Sequence, residues 1–408
     1  MASDQRARLR PSWVLLGPAF VAAIAYVDPG NVAANVSAGA QFGYLLVWVI
    51  VVANAMACLV QYLSAKLGLV SGLSLPEAVG SQMRRRSRLA YWLQAELVAM
   101  ATDLAEVVGG AIALYLLFDL PLLTGGVITG VVSLLLLVVK DRRGQQMFER
   151  VITGLLLVIA IGFLTSLFVA PPPAAEVAGG LLPKFAGTES VLLAAAMLGA
   201  TVMPHAVYLH SGLTRDRHGH PEPGPMRRML LRATRWDVGI AMVVAGAVNL
   251  SMLLVAATNL QGQDDTDSIE GAHAAVQHTL GTTVALLFAI GLLASGLASS
   301  SVGAYAGAMI MQGLLHRAIP LLVRRLITLT PALVILAIGL DPTRALVLSQ
   351  VVLSFGIPFA LIPLVRLTSS RRLMGEDVNH RVTTALGWIV AGLITLLNVV
   401  LIYLTVTG

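Results

Sequence analysis

The chain consists largely of long apolar runs, and these runs are the feature that most restricts its fold. Many of them extend for about 20 residues, the length that an α-helix needs to cross the hydrocarbon core of a bilayer. Hydrophobic residues make up 57% of the 408 residues and charged residues only 12%. A soluble domain cannot bury that much apolar surface. The sequence therefore predicts an all-α integral membrane protein in which residues 1–408 form a single transmembrane domain.

The apolar runs between polar breaks predict eleven transmembrane helices. The predicted spans are residues 12–36, 43–68, 89–118, 121–139, 149–169, 188–213, 236–258, 270–312, 322–340, 344–366 and 382–406. The eighth run is too long for one straight span, so we expect its N-terminal part to lie outside the cell. The single cysteine, Cys58, has no partner for a disulfide or a thiolate metal site, and we interpret it as a packing residue.

The basic residues predict the orientation in the membrane. With the N-terminus in the cytoplasm, all of the 27 Lys and Arg residues except Lys184 and Arg344 fall on the cytoplasmic side. The acidic stretch Asp264–Asp267 falls on the opposite side, and an odd number of spans leaves the C-terminus outside the cytoplasm. The preference of basic residues for the cytoplasmic side thus explains the net charge of +6, so this charge does not indicate a nucleic-acid partner. The bilayer is the expected partner, and no obligate protein partner is indicated.

Two predicted spans contain residues that interrupt a helix in mid-membrane. Span one is interrupted between Asp28 and Asn31, and span six between Gly199 and His205. Each break contains a proline, which removes a main-chain donor and pushes the preceding residue out of the helical region. The interrupted spans are five apart, so they run in opposite directions. This predicts an inverted repeat of residues 1–169 and 188–366, with residues 382–406 as an additional helix.

The break at Asp28 predicts a buried cation site. An ionised Asp at membrane depth needs a cation or a hydrogen-bond network. In span six the break frees main-chain carbonyls around Ala200 and lies beside Met203. Together with Asn31, these groups would form a mixed oxygen and sulfur shell, and a thioether suits transition metals better than Mg²⁺ or Ca²⁺. The alternatives are a proline kink with a protonated Asp, and a methionine that only packs.

Acidic residues in span three and histidines in span six suggest a route for protons. Glu96, Asp103 and Glu106 fall at i, i+7 and i+10, on one stripe of a helix. Three acids on one intramembrane face are costly, which suggests a proton route; a structural salt-bridge network is the alternative, and the two can coexist. We interpret His205 as a proton-handling or gating residue and His210 as an inward gating residue, with neither as a metal ligand.

These motifs resemble the Nramp family of proton-coupled divalent metal-ion transporters, of the bacterial MntH type. The resemblance is carried by DPGN in span one, ATDLAEVVGGAIAL in span three, MPH in span six and LSQVVLSFGIPFALIPL in span ten, and it covers essentially the whole chain. It implies a LeuT-like fold of five plus five inverted helices and one more. It also implies import of Mn²⁺ or Fe²⁺, with Cd²⁺ and Co²⁺, together with protons across a bacterial inner membrane. The metal ion and the proton are then substrates, and no permanent cofactor is implied.

The resemblance also implies roles for individual residues. The implied metal ligands are Asp28, Asn31, Met203, the carbonyls of Ala200 and Ala25, and in some states Gln350. The implied proton route leads from Asp28 through Asp103 and Glu106 to the cytoplasm, with Arg324 or Arg325 in span nine as a counter-charge.

Two other functions remain open from the residues alone. One is a sodium-coupled amino-acid symporter on the same fold, although an Asp at the break would oppose a substrate carboxylate. The other is a membrane-embedded metalloenzyme, although the sequence contains neither an HExxH motif nor a nucleophile elbow.

Overall fold

A computed structural model describes residues 17–262, 268–316 and 319–407. Within these ranges all regular secondary structure is helical, as predicted. Several residues with predicted positions lie outside the described residues: the start of span one, the basic residues Arg6, Arg8 and Arg10, the acidic stretch Asp264–Asp267, and Arg317.

The described part of the chain contains seventeen α-helices. They are α1 (Pro18–Ile24), α2 (Pro29–Phe42), α3 (Val47–Ser71), α4 (Leu75–Gly80), α5 (Arg85–Phe118), α6 (Leu122–Arg143), α7 (Gln145–Val169), α8 (Ala174–Gly179), α9 (Gly187–Thr201), α10 (Pro204–His218), α11 (Pro225–Asn259), α12 (Ile269–Leu280), α13 (Thr282–Leu315), α14 (Leu321–Ala337), α15 (Pro342–Thr368), α16 (Arg371–Met374) and α17 (Arg381–Thr407). Short 3₁₀ turns lie at Ala25–Val27 and Gly375–Asp377.

Eight helical segments are long and apolar enough to cross a membrane: α3, α5, α7, α9 with α10, α11, α13, α15 and α17. The other three predicted spans correspond to α1 with α2, to α6 and to α14. The apolar parts of α1 and α6 are shorter than a full span. Helix α14 has 17 residues, including Arg324 and Arg325. The multi-pass helical fold is confirmed, while the count of eleven spans stays a prediction.

Two segments differ from the predicted boundaries. The eighth run divides at Gly281, where a φ of 90° ends α12 before α13 begins. Helix α11 begins at Pro225, well before the predicted start at 236, because the Arg-rich segment continues the helix beyond the apolar run. A search for apolar runs detects the part of a helix that contacts lipid, and it misses a polar extension of the same helix.

Both predicted breaks are present, and each is narrower than the motif that indicated it. Helix α1 continues as the 3₁₀ turn, Asp28 has extended main chain with a ψ of 168°, and α2 then begins. Helix α9 runs through Thr201, only Val202 and Met203 are non-helical, and α10 then begins. Pro29 and Pro204 occupy the first helical positions of α2 and α10, where a missing N–H costs least.

The broken helices lie inside the helical bundle. Helix α2 packs against α9, α11 and α15, while α10 packs against α3 and α13. Helix α5 packs against α13, α14 and α15. Helix α17 lies outside this group against α9 and α15. Asp28, Asn31, Ala200 and Met203 are consequently inaccessible to solvent.

Candidate metal site

The two prolines free carbonyls at equivalent places in the two broken helices. In an α-helix the N–H of each residue donates to the carbonyl four residues earlier. Pro29 and Pro204 have no N–H, so the carbonyls of Ala25 and Ala200 lose this donor. The Ala200 carbonyl instead accepts a hydrogen bond of 2.9 Å from the side-chain amide of Asn31. This bond joins the two breaks directly.

Asp28 caps α2 through one carboxylate oxygen. Its Oδ1 accepts from the main-chain N–H and from the side-chain Nδ2 of Asn31, each at 2.8 Å. Such a cap satisfies a donor that the first turn of a helix leaves free. The second oxygen, Oδ2, is buried and accepts no hydrogen bond from the described residues. One face of the carboxylate therefore positions the break, and the other is available to a ligand.

Three unpaired oxygen acceptors lie at or beside the first break. They are Oδ2 of Asp28, Oδ1 of Asn31 and Oε1 of Gln350, all buried and without a donor among the described residues. Gln350 packs directly against Gly30 of the first break. The contact is so close that a Cβ at Gly30 would overlap the Gln350 side-chain amide. A Cβ at Gly199 would likewise overlap the Gln350 main chain. Unpaired buried acceptors are uncommon, so a group of three needs an explanation.

Met203 and Ala25 occupy the non-helical parts of the two breaks. Met203 lies in the link between α9 and α10, and Ala25 begins the 3₁₀ turn before Asp28; both are fully buried. No group of three or more His, Cys, Asp or Glu side chains in the described ranges is placed to hold a metal ion. A cation at the breaks would therefore need amide, carbonyl and thioether ligands beside the single carboxylate of Asp28.

Three polar residues that sequence reasoning missed hold the first break in shape. Asn249 Nδ2 donates to the Tyr26 carbonyl at 2.7 Å, and Asn249 Oδ1 accepts from Asn35 Nδ2 at 3.0 Å. Ser295 Oγ donates to the Val27 carbonyl at 2.6 Å. Asn35 and Asn249 each lie in an apolar run of the sequence. An unpaired amide in a membrane is costly, so such an asparagine indicates a buried hydrogen bond, although not its partner.

The acidic stripe of α5 faces α14, where both arginines are paired. Arg324 Nη2 lies 3.0 Å from Glu96 Oε1, and Arg325 Nη1 lies 2.5 Å from Asp103 Oδ1. Arg325 also donates to Ser133 Oγ at 2.9 Å. The two arginines were predicted as alternative counter-charges, and each in fact pairs with a different acid.

Glu106 differs from the other two acids of the stripe. It is 1% exposed, and neither carboxylate oxygen meets a donor in the described part of the chain. Its carboxylate lies against Gly303 of α13. The charges of Asp103, Arg325 and Asp28 all act on it. Among the described residues, Glu106 is thus an acid without a hydrogen-bond donor, and it interacts with charges of both the ion pair and the first break.

The two histidines contact different helices. His205 Nδ1 lies 3.2 Å from Thr102 Oγ1 on α5, next to Asp103 in sequence, and its Nε2 has no partner among the described residues. His210 Nδ1 lies 2.6 Å from Gln61 Oε1 on α3. Gln61 donates in turn to the Tyr26 hydroxyl, in the turn before Asp28. Sequence reasoning did not identify Gln61 or Tyr26, which connect α10 to the first break.

A polar cavity of about 300 Å³ lies above the breaks, on the predicted extracellular side. Its lining includes Ser37, Leu193 and Thr343. Ser37 follows Asn31 by six positions, while Leu193 and Thr343 precede Ala200 and Gln350 by seven. At 1.5 Å per residue, the cavity lies about 10 Å along each helix from the site. The three helices that form the site therefore also line one cavity.

Comparison with known proteins identifies the family. The sequence profile of the family described as Natural resistance-associated macrophage protein-like, Nramp, matches residues 19–404. The chain belongs to the Nramp family. This is a family of transporters, not enzymes, which removes the metalloenzyme alternative.

Curated relatives and solved structures agree with this assignment. The chain is 74% identical over 408 residues to the divalent metal cation transporter MntH of Mycobacterium tuberculosis, covering 100% of this chain and 95% of that protein. It is 49% identical over 389 residues to MntH of Bacillus subtilis, covering 95% and 91%. The crystal structure of the Eremococcus coleocola manganese transporter matches with a TM-score of 0.86 and 32% identity, over 98% of this chain and 88% of that one.

A more distant structure matches in fold alone. The nucleobase-cation-symport-1 family transporter Mhp1 superimposes with a TM-score of 0.60 at 17% identity, over 95% of this chain and 90% of that one. The Nramp and LeuT-like fold is therefore confirmed.

Proposed function

We propose that the chain carries divalent transition-metal ions, Mn²⁺ foremost and Fe²⁺, Cd²⁺ and Co²⁺ as well, into the cytoplasm together with protons. The hydrogen bond between Asn31 and Ala200 carries this proposal, because it brings together a carboxylate, an amide and a main-chain carbonyl from two broken helices. The names of the relatives, divalent metal cation transporters, support the class of substrate.

The proposed ligands are Asp28, Asn31, Met203, Gln350 and the carbonyls of Ala200 and Ala25. Asp28 supplies the charge that a dication needs, and its Oδ2 accepts no hydrogen bond from the described residues. Met203 supplies the soft ligand. Alkaline-earth ions bind oxygen and gain little from sulfur, so Met203 would favour transition metals over Mg²⁺ and Ca²⁺.

Binding the ion would reorient the amide of Asn31. In the structure the NH₂ group of Asn31 bridges Asp28 Oδ1 and the Ala200 carbonyl. A cation bound to both of these oxygens would take the place of that NH₂ group. Turning the amide by half a rotation presents Oδ1 to the ion, and this oxygen has no other partner in the described part of the protein. Asn31 therefore holds the two breaks together without the ion and can become a ligand with it.

Metal ions would reach the site through the polar cavity formed by α2, α9 and α15. Among the described residues that line this cavity, Glu189 and Asp341 are acidic and only Arg344 is basic. This balance of charge favours positive ions. The inside-negative potential would then add about 2.3 kcal/mol per charge per 100 mV to inward movement.

Protons would leave the site along α5. The proposed route leads from Asp28 by way of Glu106 and Asp103, with His205 beside it. The ion pairs of Arg325 with Asp103 and of Arg324 with Glu96 would set the charge along the route. His210 is proposed to gate the inward side through Gln61.

The proposed organisation is one transmembrane transporter domain spanning residues 1–408. Residues 1–169 and 188–366 form the two inverted repeats, and residues 382–406 form the additional helix. The matching positions of Pro29 and Pro204 support the repeat, since each begins the second half of a broken helix. We place the protein in the bacterial inner membrane, with a cytoplasmic N-terminus and an external C-terminus, from the distribution of its basic residues.

A sodium-coupled amino-acid symporter remains the alternative on this fold. Against it, the first break carries an Asp with an unpaired oxygen, which would repel a substrate carboxylate. The family assignment also favours a metal substrate.

Uptake by proteoliposomes tests the proposal. We expect inward Mn²⁺ transport that increases at acidic external pH and with an inside-negative potential, and no sodium-dependent amino-acid uptake. Asp28→Asn should abolish Mn²⁺ binding measured by calorimetry while the protein still folds, because the amide can keep the contact between Asp28 and Asn31. Undiminished Mn²⁺ binding by this variant would place the ion elsewhere.

A further inference from the structure

A basic cavity of about 390 Å³ lies between α3, α11 and the start of α17, on the predicted cytoplasmic side. Four cationic residues line it: Lys66 of α3 and Arg228, Arg232 and Arg235 of α11. The segment between α16 and α17 closes the cavity with Glu376, Asp377, Val378 and His380. No step of metal or proton transport described above uses this cavity.

The three arginines form one row on α11. Positions 228, 232 and 235 are separated by four and three residues, so their side chains share one helix face. Like charges at this spacing destabilise a helix. All three side chains are exposed. Arg235 lies over the Tyr62 ring at 5.2 Å and donates to its hydroxyl at 3.2 Å. An anion in the cavity would offset this concentration of charge.

Lys66 makes the cavity more than an exposed basic surface. Lys66 is a buried residue, with a relative exposure of 7%. Its one hydrogen bond within the described ranges joins Nζ to the side-chain oxygen of Asn379, at 2.9 Å. An ammonium group has three N–H donors, so two remain for a ligand. A buried cation with free donors next to a row of arginines is typical of a site for a phosphate group.

The two acids of the cavity only partly offset this charge. Asp377 already pairs with Arg227, which lies outside the cavity lining, at 3.2 Å. Glu376 is exposed on the 3₁₀ turn before α17. Asp377 also acts through its charge on Lys66, so Arg227 and Lys66 share this carboxylate. The described lining thus contains four cations, one shared carboxylate and one exposed carboxylate.

The surface beside the cavity is apolar and indicates where the phosphate group comes from. Trp236, next to Arg235, is 71% exposed, as is usual for tryptophan at the level of lipid headgroups. Further along α11, Val243 is exposed, and α17 exposes Val382 and Leu386 on the other side of the cavity. Acyl chains can lie along these helices while a headgroup occupies the cavity. A free anion would use the basic residues but not this apolar surface.

We propose that the cavity between α3, α11 and the start of α17 binds the phosphate headgroup of an anionic phospholipid from the cytoplasmic leaflet. Such a lipid joins α3 and α11 to the segment that leads into α17, so it stabilises the arrangement of these three helices seen here. The proposal does not depend on which ion the protein transports.

Titration of the purified full-length protein with phosphatidylglycerol tests this proposal, with bound lipid counted by native mass spectrometry and stability followed by thermal unfolding. Phosphatidylcholine with the same acyl chains, and inorganic phosphate, serve as comparison ligands. We expect saturable binding and stabilisation by phosphatidylglycerol, and a much smaller effect of phosphatidylcholine. In Arg228→Gln/Arg232→Gln the affinity should fall roughly tenfold to thirtyfold, from the usual contribution of each basic residue near an anionic membrane.

Three further variants make the test decisive. Arg85→Gln/Arg86→Gln at the exposed start of α5 removes the same charge away from the cavity and should bind phosphatidylglycerol as the unmodified protein does. Arg228→Lys/Arg232→Lys should keep most of the affinity, and Arg232→Gln alone should show an intermediate loss if the double variant does not fold. Equal binding of phosphatidylglycerol by Arg228→Gln/Arg232→Gln and the unmodified protein, or by Arg232→Gln alone where the double variant does not fold, overturns the proposal. So does stabilisation by inorganic phosphate to which phosphatidylglycerol adds nothing.

Discussion

The side-chain amide of Asn31 donates to the main-chain carbonyl of Ala200 over 2.9 Å, across 169 positions of sequence. Each residue lies in the helical turn next to the break of its own helix, and a proline begins the helix that follows each break. Pro204 removes the donor that would otherwise occupy the Ala200 carbonyl. Within the described ranges, the Oδ1 of Asn31 accepts no hydrogen bond. The contact therefore holds the two breaks together through groups that can also bind a cation.

Replacing Met203 should change which ions are transported. We expect Met203→Ala to lower Mn²⁺ and Cd²⁺ uptake and to reduce their preference over Ca²⁺, because only the oxygen ligands remain. Uptake of each ion, measured alone and in competition in proteoliposomes, gives the result. Met252→Ala on α11 is the matched control, since Met252 is equally apolar, is 3% exposed and lines a separate cavity. An unchanged preference for Cd²⁺ over Ca²⁺ in Met203→Ala would show that the thioether only packs.

A methyl group at Gly30 should disrupt the site through Gln350. The added Cβ would overlap the Gln350 side-chain amide, and overpacking of this kind costs about 1–3 kcal/mol. We expect Gly30→Ala to lower thermal stability and metal uptake. Gly30→Ala/Gln350→Ala should recover stability, because the second change removes the group that is overlapped. Recovery of metal affinity as well would argue against Gln350 as a ligand.

The main features of the fold followed from the sequence, because each depends on a local property. Apolar length predicts a membrane span, and proline predicts the end of a helix. Asp28 and Pro29 are adjacent, so the first break needed no tertiary information. The same holds for Met203 and Pro204 at the second break. The two breaks lie five predicted spans apart, and this odd number predicted that the two broken helices run in opposite directions.

The contacts around the site could not be predicted in this way. Asn249 reaches the Tyr26 carbonyl from α11, and Gln61 joins His210 to Tyr26 from α3. Each contact depends on how helices are rotated against one another, and one polar residue in an apolar run does not reveal its partner. The choice between Arg324 and Arg325 was open for the same reason, since neighbouring residues on a helix face different directions.

Glu270 on α12 should make stability depend on pH. Burial raises the pKa of its carboxyl group, and the charge of Asp341 adds to the effect. Folding then favours the protonated form, so ionisation costs stability at neutral pH, and the cost disappears as the pH falls below the unfolded value of about 4.3. Glu270→Gln should raise the midpoint of thermal unfolding at pH 7 and have no effect near pH 4. Glu176→Gln on the exposed helix α8 is the control. If Glu270→Gln stabilised the protein equally at pH 7 and pH 4, ionisation of Glu270 would be excluded as the cause.

The pair of Arg325 and Asp103 allows the structural and proton-carrying roles of the α5 acids to be separated. Arg325→Met leaves a buried carboxylate without its cation, and breaking such a pair costs about 3–5 kcal/mol. Asp103→Asn/Arg325→Met removes both charges, so we expect it to recover most of the lost thermal stability. If Asp103 carries protons, this stable double variant should still bind Mn²⁺ but lose the dependence of uptake on external pH. Uptake with an unchanged pH dependence would show that the pair is only a salt bridge. The acid to test next would then be Glu106, whose carboxylate meets no donor among the described residues.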